Sequence, residues 1–349
     1  MRQPRDSTAI KRPTMTDIAC ECGLSRATVA RALSGKGYVN PERKALIHQA
    51  AARMGYRAST IARALRTQRT SSIGVLIADI TNPIFPEIVK GIDEVVSAGD
   101  YTIFLCNTDE DARKQLAIIR SLLDRQVDGI ILVSQTVSDE SQALLKNGPP
   151  YVLVNRRPAR HGGDYVGPDN AMAVRQLLEH LYGLGHRRIA YITGPAQSST
   201  ARERRDSFTA EMARLGCSIP PGYLVEGNYQ AESGRRAAEA LLACTPRPTA
   251  ILAANDFVAL EVISFLHEHG LQVPEDMSVT GFDDAFKMRF SGRYPLPAQG
   301  LTTVDQPKRE LGRSAGNALL ARMARPDAPV RTIILPTTLN IRDTTAPAG

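Results

Sequence analysis

The sequence predicts a multidomain fold in which a small all-α domain precedes a larger two-lobed α/β domain built on parallel sheets. The chain has 349 residues, more than one typical hydrophobic core encloses. Residues 1–72 carry 14 Lys and Arg against 4 Asp and Glu, whereas the remaining residues carry a net charge of −3. After residue 72, short apolar runs alternate with amphipathic stretches, as in a parallel sheet that is covered by helices on both faces.

The first two helices of the small domain are predicted from their capping residues. Thr14 or Thr16 can cap a helix that ends at Gly23, and Ser25 can cap a second helix that begins with RATVARAL. A helix, a tight glycine turn and a second helix are typical of a helix-turn-helix DNA-binding domain, which we assign to residues 14–57. The basic charge of this region is also typical of a domain that contacts phosphates.

The third helix is expected to begin at Asn40-Pro41, with Asn as the cap and Pro at the first helical position, and to end at Gly55. Three short helices need a shared core. We expect it from apolar side chains on their inward faces: Ile18, Val29, Leu33, Leu46 and Ile47. Residues 1–13 are expected to form a flexible basic extension.

The strings TMTDIACECGLSRATVARAL and STIARALR, in this order, resemble the lac repressor family of bacterial regulators. The resemblance extends from Thr14 over nearly the whole chain and implies that the second helix enters the major groove of DNA. Base contacts are then expected from residues near the start of that helix: Arg26, Ala27 and Arg31. An arginine can bind O6 and N7 of guanine with two hydrogen bonds. Phosphate contacts are expected from short hydroxyl side chains: Ser25, Thr28 and Ser34.

Residues 58–72 allow two interpretations. Ile61 and Leu65 are four residues apart among arginines, so the segment has no core of its own, and a helix this short is unstable alone. On that ground it is a flexible linker. The family resemblance implies instead a hinge helix that folds on DNA, with Leu65 inserted between base pairs of the minor groove and Ala62 and Arg63 beside it.

The larger domain, residues 73–349, resembles the effector-binding and dimerisation domain of the same family, whose architecture is that of periplasmic sugar-binding proteins. The alternation of strands and helices restarts after residue 168, which predicts two similar lobes. The resemblance implies three crossings between the lobes, near residues 168, 298 and 328. Lobe 1 would then comprise about 73–168 and 299–327, and lobe 2 about 169–298 and 328–343, with a ligand in the cleft.

Ligand contacts are expected at strand ends that border the cleft, where open α/β sheets bind their ligands. Six residues have this position: Phe85, Asn155, Arg204, Tyr229, Asn255 and Asp283. Arg204 matches the effector-binding arginine of the family, whereas Asn155 stands where an aspartate is common. Arginine, amide and carboxylate groups around an aromatic ring suit a polyhydroxylated ring. Structural alternatives are an ion pair for Arg204, packing for Phe85 or Tyr229, and helix capping for Asn255 or Asp283.

The function expected from these features is that of a sequence-specific transcriptional regulator, a repressor that binds a palindromic operator as a homodimer. A small-molecule effector controls it: a sugar or sugar derivative by preference, and a purine or nucleoside as the alternative. A solute-binding protein shares the architecture, but the DNA-binding head and the lack of an apolar signal segment disfavour it. An enzyme is disfavoured because the glycine-rich nucleotide-binding and nucleophile-elbow motifs do not occur in the sequence.

Cofactors and metals are not expected. The five cysteines include no CxxC pair and no nearby histidine pair, which argues against both zinc and disulfides. No apolar run approaches the roughly 20 residues that span a bilayer, so we expect a cytoplasmic protein without a membrane partner. No apolar heptad tail follows NIRDTT, so a dimer is expected rather than a tetramer built on such a tail.

Overall fold

The computed structural model describes residues 13–35, 37–56, 69–285 and 300–349. The chain divides into two compact units, Met1–Thr70 and Ser71–Gly349. Within the described ranges, no helix combines the length and the apolar character needed to cross a membrane.

The first unit contains the three predicted helices: α1 (Met15–Cys22), α2 (Arg26–Ser34) and α3 (Pro41–Arg53). Of the two candidate threonines, Thr14 caps α1, in a capping box in which its side chain and that of Asp17 each accept from the other residue's backbone N–H. Gly23 ends α1 with φ of 62°, a conformation that glycine adopts without steric cost. The Ser25 hydroxyl accepts from the Thr28 N–H and caps α2, and the Asn40 side chain caps α3.

The core of this unit differs from the prediction at one residue. Ile18, Val29 and Ile47 are fully buried, and Leu33 is partly buried against them. Leu46 is 47% exposed, so its predicted place in the core is wrong. The buried face of α3 continues from Ile47 through two alanines, and Leu46 lies about 100° away from Ile47 around the helix.

The first lobe of the second unit is built on a six-stranded sheet in the order β11-β5-β4-β3-β1-β2, with all neighbouring pairs parallel. Its strands are β1 (Ser72–Ile77), β2 (Thr102–Asn107), β3 (Gly129–Val133), β4 (Tyr151–Val154), β5 (Asp164–Pro168) and β11 (Thr332–Leu335). Its helices are α4 (Ile84–Val96), α5 (Ala112–Asp124), α6 (Asp139–Lys146) and α11 (Lys308–Ala324). Val75 and Leu76 belong to different core clusters, so this sheet is buried on both faces.

The second lobe has a six-stranded sheet in the order β12-β10-β9-β8-β6-β7, parallel except for the antiparallel pair of β10 and β12. Its strands are β6 (Ile189–Thr193), β7 (Leu224–Glu226), β8 (Ala250–Ala253), β9 (Ser278–Asp283), β10 (Thr302–Asp305) and β12 (Thr338–Asn340). Its helices are α7 (Asn170–Gly183), α8 (Ser199–Arg214), α9 (Ala231–Leu242) and α10 (Asp256–Glu268).

The crossings between the lobes follow β5, β10 and β11, so the predicted boundaries near 298 and 328 are wrong. Thr302–Asp305 pairs with β9 in the second sheet, although 299–327 was expected in lobe 1. Thr332–Leu335 pairs with β5 in the first sheet, although 328–343 was expected in lobe 2. The segment 299–327 therefore contributes β10 to the second lobe and α11 to the first lobe. The segment 328–343 contributes β11 to the first sheet and β12 to the second, where the backbone hydrogen bonds of each strand are satisfied.

The return helix α11 packs closely on α4. A Cβ added at Gly91 would lie 2.1 Å from the carbonyl oxygen of Arg309, and one at Gly312 would lie 2.0 Å from that of Ile88. The two helix backbones are thus in direct contact at these glycines. This contact fixes the C-terminal return segment on the first lobe.

Candidate functional site

The outward face of α2 carries the residues predicted to bind DNA. Arg26, Ala27 and Arg31 are exposed, and Ser25 and Ser34 are exposed beside them. Thr28 is half-buried. Because the capped start of a helix presents free backbone N–H groups and a positive dipole end, this surface suits phosphate oxygens as well as base edges.

All three predicted hydroxyls on this face have structural partners. The oxygens of the Ser25 and Thr28 hydroxyls lie 2.9 Å apart, and the Ser25 oxygen also accepts from the Thr28 N–H at 3.2 Å. The Ser34 hydroxyl donates to the carbonyl of Arg31 at 3.3 Å. These side chains therefore stabilise α2. A hydroxyl has a single hydrogen to donate, so a hydroxyl that already donates can bind a phosphate oxygen only when that hydrogen turns from its present partner to the phosphate.

The predicted hinge residues Ala62, Arg63 and Leu65 lie outside the described residues, as does nearly all of the predicted N-terminal extension.

A cavity of about 120 Å³ lies between the lobes of the second unit, at the carboxyl ends of strands from both sheets. It is lined by all six residues that the sequence predicted for the ligand: Phe85, Asn155, Arg204, Tyr229, Asn255 and Asp283. Further lining residues were not predicted, among them Asp79, Asn82, Glu110, Arg156, Phe257 and Gln306.

Arg204 is held in place by the second lobe. It is 5% exposed; its Nε donates to the Asn170 side chain at 2.8 Å, and one terminal nitrogen donates to the carbonyl of Ala254 at 3.1 Å. Its guanidinium carbon lies 3.4 Å from the centroid of the Phe282 ring. The alternative of an ion pair with Glu203 or Asp206 does not describe Arg204. Glu203 pairs with Arg157 at 3.7 Å, and Asp206 pairs with Arg205 at 2.9 Å.

Asp283 is 7% exposed and has a φ of 113°, a backbone conformation rare for residues with a side chain. Its carboxylate accepts from the Gln306 side chain at 2.5 Å, and its backbone carbonyl accepts from Lys308. Burial raises the pKa of Asp283 to about 6, although the charges of Arg204 and Lys308 act against that rise. At neutral pH the group is therefore mostly an acceptor within the cavity.

Asn155 offers an acceptor that the described residues leave unsatisfied. Its side-chain nitrogen donates to the Ser134 hydroxyl at 3.1 Å, whereas its side-chain oxygen is buried without a hydrogen-bond partner. Its φ of 65° is positive, and its carbonyl accepts from Tyr165 at 2.9 Å. A buried acceptor of this kind costs free energy until a donor reaches it, and a donor on a ligand would supply that bond.

Tyr229 and Asn255 form a linked pair on the second lobe. Asn255 caps α10 through the Val258 N–H, and its side-chain nitrogen donates to the carbonyl of Tyr229 at 2.9 Å. The predicted capping alternative thus describes Asn255, which also positions Tyr229. The Tyr229 ring packs over Gly194, where an added Cβ would lie 2.2 Å from the ring.

Phe85 is 5% exposed within the apolar core of the first lobe, and it lines the cavity as well.

Arg156 and Glu110 form the main feature that sequence analysis missed. Two nitrogens of Arg156 donate to the two carboxylate oxygens of Glu110, at 2.7 and 3.0 Å, and the guanidinium carbon lies 5.2 Å from the centroid of Tyr229 on the other lobe. Arg156 follows Asn155 directly, so its position after β4 was a usable signal. Glu110 lies 46 residues earlier, and no local pattern links the two.

The described residues contain no group of three or more His, Cys, Asp and Glu side chains arranged to hold a metal ion. The arrangement between the lobes instead provides fixed donors, acceptors and aromatic surface, which suits reversible binding of a small polar molecule.

Comparisons with known proteins agree with this division of the chain. The model of bacterial regulatory proteins of the lacI family matches residues 14–59, and that of the periplasmic binding protein-like domain matches residues 178–345. The ribose operon repressor of Escherichia coli (strain K12) is 32% identical over 315 residues, which cover 90% of this chain and 94% of the repressor. The HTH-type transcriptional repressor PurR of Photobacterium profundum is 31% identical over 312 residues, which cover 89% and 92%.

A solved structure extends the similarity to the fold. The lac repressor dimer bound to operator and the anti-inducer ONPF matches with a TM-score of 0.84 and 26% identity, covering 96% of this chain and 100% of that chain. Sequence and fold similarity therefore both span nearly the whole length of the protein, and the chain belongs to the lacI family of bacterial regulatory proteins.

Proposed function

We propose that this protein is a repressor that binds operator DNA as a homodimer and is controlled by a sugar or sugar derivative bound between the lobes. The observation that carries the proposal is the presence, in one chain, of a capped helix with exposed arginines and a cavity lined by polar and aromatic groups from both lobes. A regulator with these partners acts in the cytoplasm. The named relatives are repressors, and the lac repressor in the matched structure is a dimer on its operator.

The chemistry of the lining supports a sugar. Each hydroxyl of a sugar is both a donor and an acceptor. Guanidinium groups of Arg156 and Arg204 supply donors, the Asp283 carboxylate and the Asn155 oxygen supply acceptors, and Tyr229 supplies an apolar ring surface. Similarity to a ribose operon repressor points the same way.

A purine or nucleoside is the second candidate. It is favoured by the similarity to a PurR repressor and by the aromatic side chains of Phe85, Tyr229 and Phe257 in the lining, since flat bases bind against rings. A thermal-shift screen of sugars, sugar acids, sugar phosphates, nucleosides and nucleobases separates the candidates. A ligand at 100 times its Kd adds about 2.7 kcal/mol to the free energy of unfolding. If a sugar stabilises the protein most, the result supports the sugar proposal. If a purine or nucleoside stabilises it most, the result contradicts the sugar proposal and supports the second candidate.

On DNA, we propose that Arg26, Ala27 and Arg31 contact bases and that Ser25, Thr28 and Ser34 contact phosphates. We extend this to the segment outside the described residues, where Leu65 is proposed to wedge into the minor groove beside Ala62 and Arg63. Selection of bound duplexes from a random pool, followed by gel shift, should yield a palindrome. Binding should weaken steeply with salt, because phosphate contacts release counterions. A pool without an enriched palindrome contradicts the proposal.

A further inference from the structure

The ionisable side chains that line the cavity, within the described residues, are unequal in sign. Three are acidic, Asp79, Glu110 and Asp283, and two are basic, Arg156 and Arg204. The basic groups come one from each lobe. With all five ionised, the lining carries one excess negative charge.

The two cations have different partners: Arg156 is paired with a carboxylate, whereas the hydrogen-bond partners of Arg204 are neutral groups. The Arg156 side chain is only 8% exposed, and it binds both carboxylate oxygens of Glu110 in a parallel, two-bond arrangement that fits the guanidinium fork. Arg204 donates to Asn170 and to the carbonyl of Ala254, and its charge acts on the nearby Asp283 carboxylate. The Arg156 guanidinium group therefore needs no charged ligand to complete its environment.

We infer that the ligand of this cavity is an uncharged hydroxylated molecule, and that Glu110 excludes anionic analogues by neutralising Arg156. The inference rests on the proposed function, because it deepens the choice among sugars, sugar acids and sugar phosphates.

The reason is electrostatic. An anion entering this site loses its hydration and meets three carboxylates against two guanidinium groups, while the two terminal nitrogens of Arg156 are already bound to Glu110. An uncharged hydroxyl group loses much less hydration. It can accept from an arginine N–H and donate to a carboxylate oxygen without displacing either ion-pair partner. The same cleft therefore discriminates by charge rather than by shape.

Glu110→Gln tests the role of the pair directly, because it removes the charge while keeping the size and one acceptor oxygen. Glu110 is 41% exposed at its side chain, so the substitution is compatible with folding. Asp109→Asn is the matched control. Asp109 is the neighbouring residue, pairs with Lys114 at 2.5 Å on the surface, and is not among the described lining residues.

The probes are pairs that differ in charge and little in shape: D-glucuronamide with D-glucuronate and D-galacturonamide with D-galacturonate. Two further pairs, D-ribose with ribose 5-phosphate and adenosine with adenosine monophosphate, differ in size as well as in charge, so they compare the ring chemistry, and the amide and carboxylate pairs test the charge. Calorimetric titration of the full chain gives the Kd of each. For the pair whose uncharged member binds, we expect that member to bind at least about tenfold more tightly than the anion in the unsubstituted protein and in Asp109→Asn. Glu110→Gln should reduce the ratio by about tenfold, chiefly by gaining affinity for the anion.

An anionic member that binds the unsubstituted protein more tightly than its uncharged partner overturns the inference and leaves the proposed repressor function intact. An unchanged ratio in Glu110→Gln overturns the role of the pair. Failure of every uncharged probe to bind contradicts both the inference and the proposed ligand class.

Discussion

Arg204 lies against the ring of Phe282, with its guanidinium carbon 3.4 Å from the ring centroid. The ring fixes the plane of the guanidinium group, and the bonds to Asn170 and Ala254 fix its rotation within that plane. Arg204 is therefore a rigid donor whose position is set before any ligand binds. Such preorganisation lowers the entropy that binding must overcome.

The first prediction follows from this rigidity. Arg204→Lys keeps the charge but removes the planar guanidinium group. A lysine cannot stack on Phe282 while it also donates hydrogen bonds to Asn170 and to the carbonyl of Ala254. We expect ligand affinity to fall at least about tenfold by calorimetric titration, with DNA binding in the absence of ligand retained. Arg205→Lys is the control, because the Arg205 side chain is 43% exposed, pairs with Asp206 and is not among the lining residues of the cavity. Equal ligand affinity in the Arg204 and Arg205 variants would show that Arg204 does not contribute to ligand binding.

The sequence predicted this part of the site because strand-end residues of open α/β sheets converge on one cleft, and Arg204, Tyr229 and Asp283 all lie near such ends. It did not predict the pair of Arg156 with Glu110. That pair depends on how the loop after β2 meets the loop after β4, and ion pairs between distant loops leave no periodic pattern in the sequence. Asn255 was predicted to have either of two roles, and only its contacts to Val258 and Tyr229 reveal that it caps α10.

The second prediction concerns Asp256, whose carboxylate accepts from the Thr303 hydroxyl and the Ala285 N–H. Burial raises its pKa to about 8, and the nearby Asp283 adds to the rise. An unfolded chain releases this proton near pH 4, so between about pH 4 and pH 8 the folded state holds more protons. Its stability therefore decreases with rising pH, by up to about 1.4 kcal/mol per pH unit from this group.

Asp256→Asn removes that dependence while keeping an acceptor and a similar shape. In urea unfolding from about pH 5 to about pH 10, the free energy of unfolding of the variant should increase relative to that of the unsubstituted protein as the pH rises, and the difference should level off above about pH 8. Asp327→Asn, at an exposed position, provides the control. A difference that is independent of pH would mean that Asp256 does not titrate in this range.

The third prediction concerns the contact of α4 with α11. Gly312→Ala would place a Cβ 2.0 Å from the Ile88 carbonyl oxygen, which is backbone and cannot rotate away. We expect a loss of about 1–3 kcal/mol in the free energy of unfolding, despite the higher helix propensity of alanine. Gly183→Ala is the matched control, since Gly183 is also helical but has open space around the added Cβ. It should leave stability unchanged or raise it by up to about 1 kcal/mol. Similar effects at both glycines would argue against the close helix contact.

The fourth prediction concerns the face of α2. Arg26 is exposed near the capped start of the helix, so Arg26→Ala should relax the preference for one base in each half-site, at a cost of about 1–3 kcal/mol on the preferred sequence. Arg53→Ala removes an equally exposed arginine that pairs with Glu21 on the same unit. Competition between operator variants in a gel shift measures both. Equal loss on every sequence in the Arg26 variant would assign Arg26 to phosphate contact.

Fold prediction from sequence succeeded where the signal is local and failed where it is not. Capping residues such as Ser25 and Asn40 act within a few positions of themselves, so the helix starts followed from them. The lobe assignments of the strands at Thr302 and Thr332 depend on which sheet each strand pairs with, and the sequence of a four-residue strand does not identify its partner. Leu46 was placed in the core on apolar character alone, whereas the small residues Ala50 and Ala51 fill the space beside Ile47.

A ligand between the lobes is expected to control binding to the operator, and thermodynamic linkage tests this coupling most directly. The Kd for the selected operator is measured with and without saturating ligand, and the Kd for the ligand is measured with and without saturating operator. We expect each molecule to change the affinity for the other by the same factor, and the Arg204→Lys variant to need at least about tenfold more ligand for the same change in the operator Kd. A ligand that binds the cavity and leaves the operator Kd unchanged would contradict control by this site.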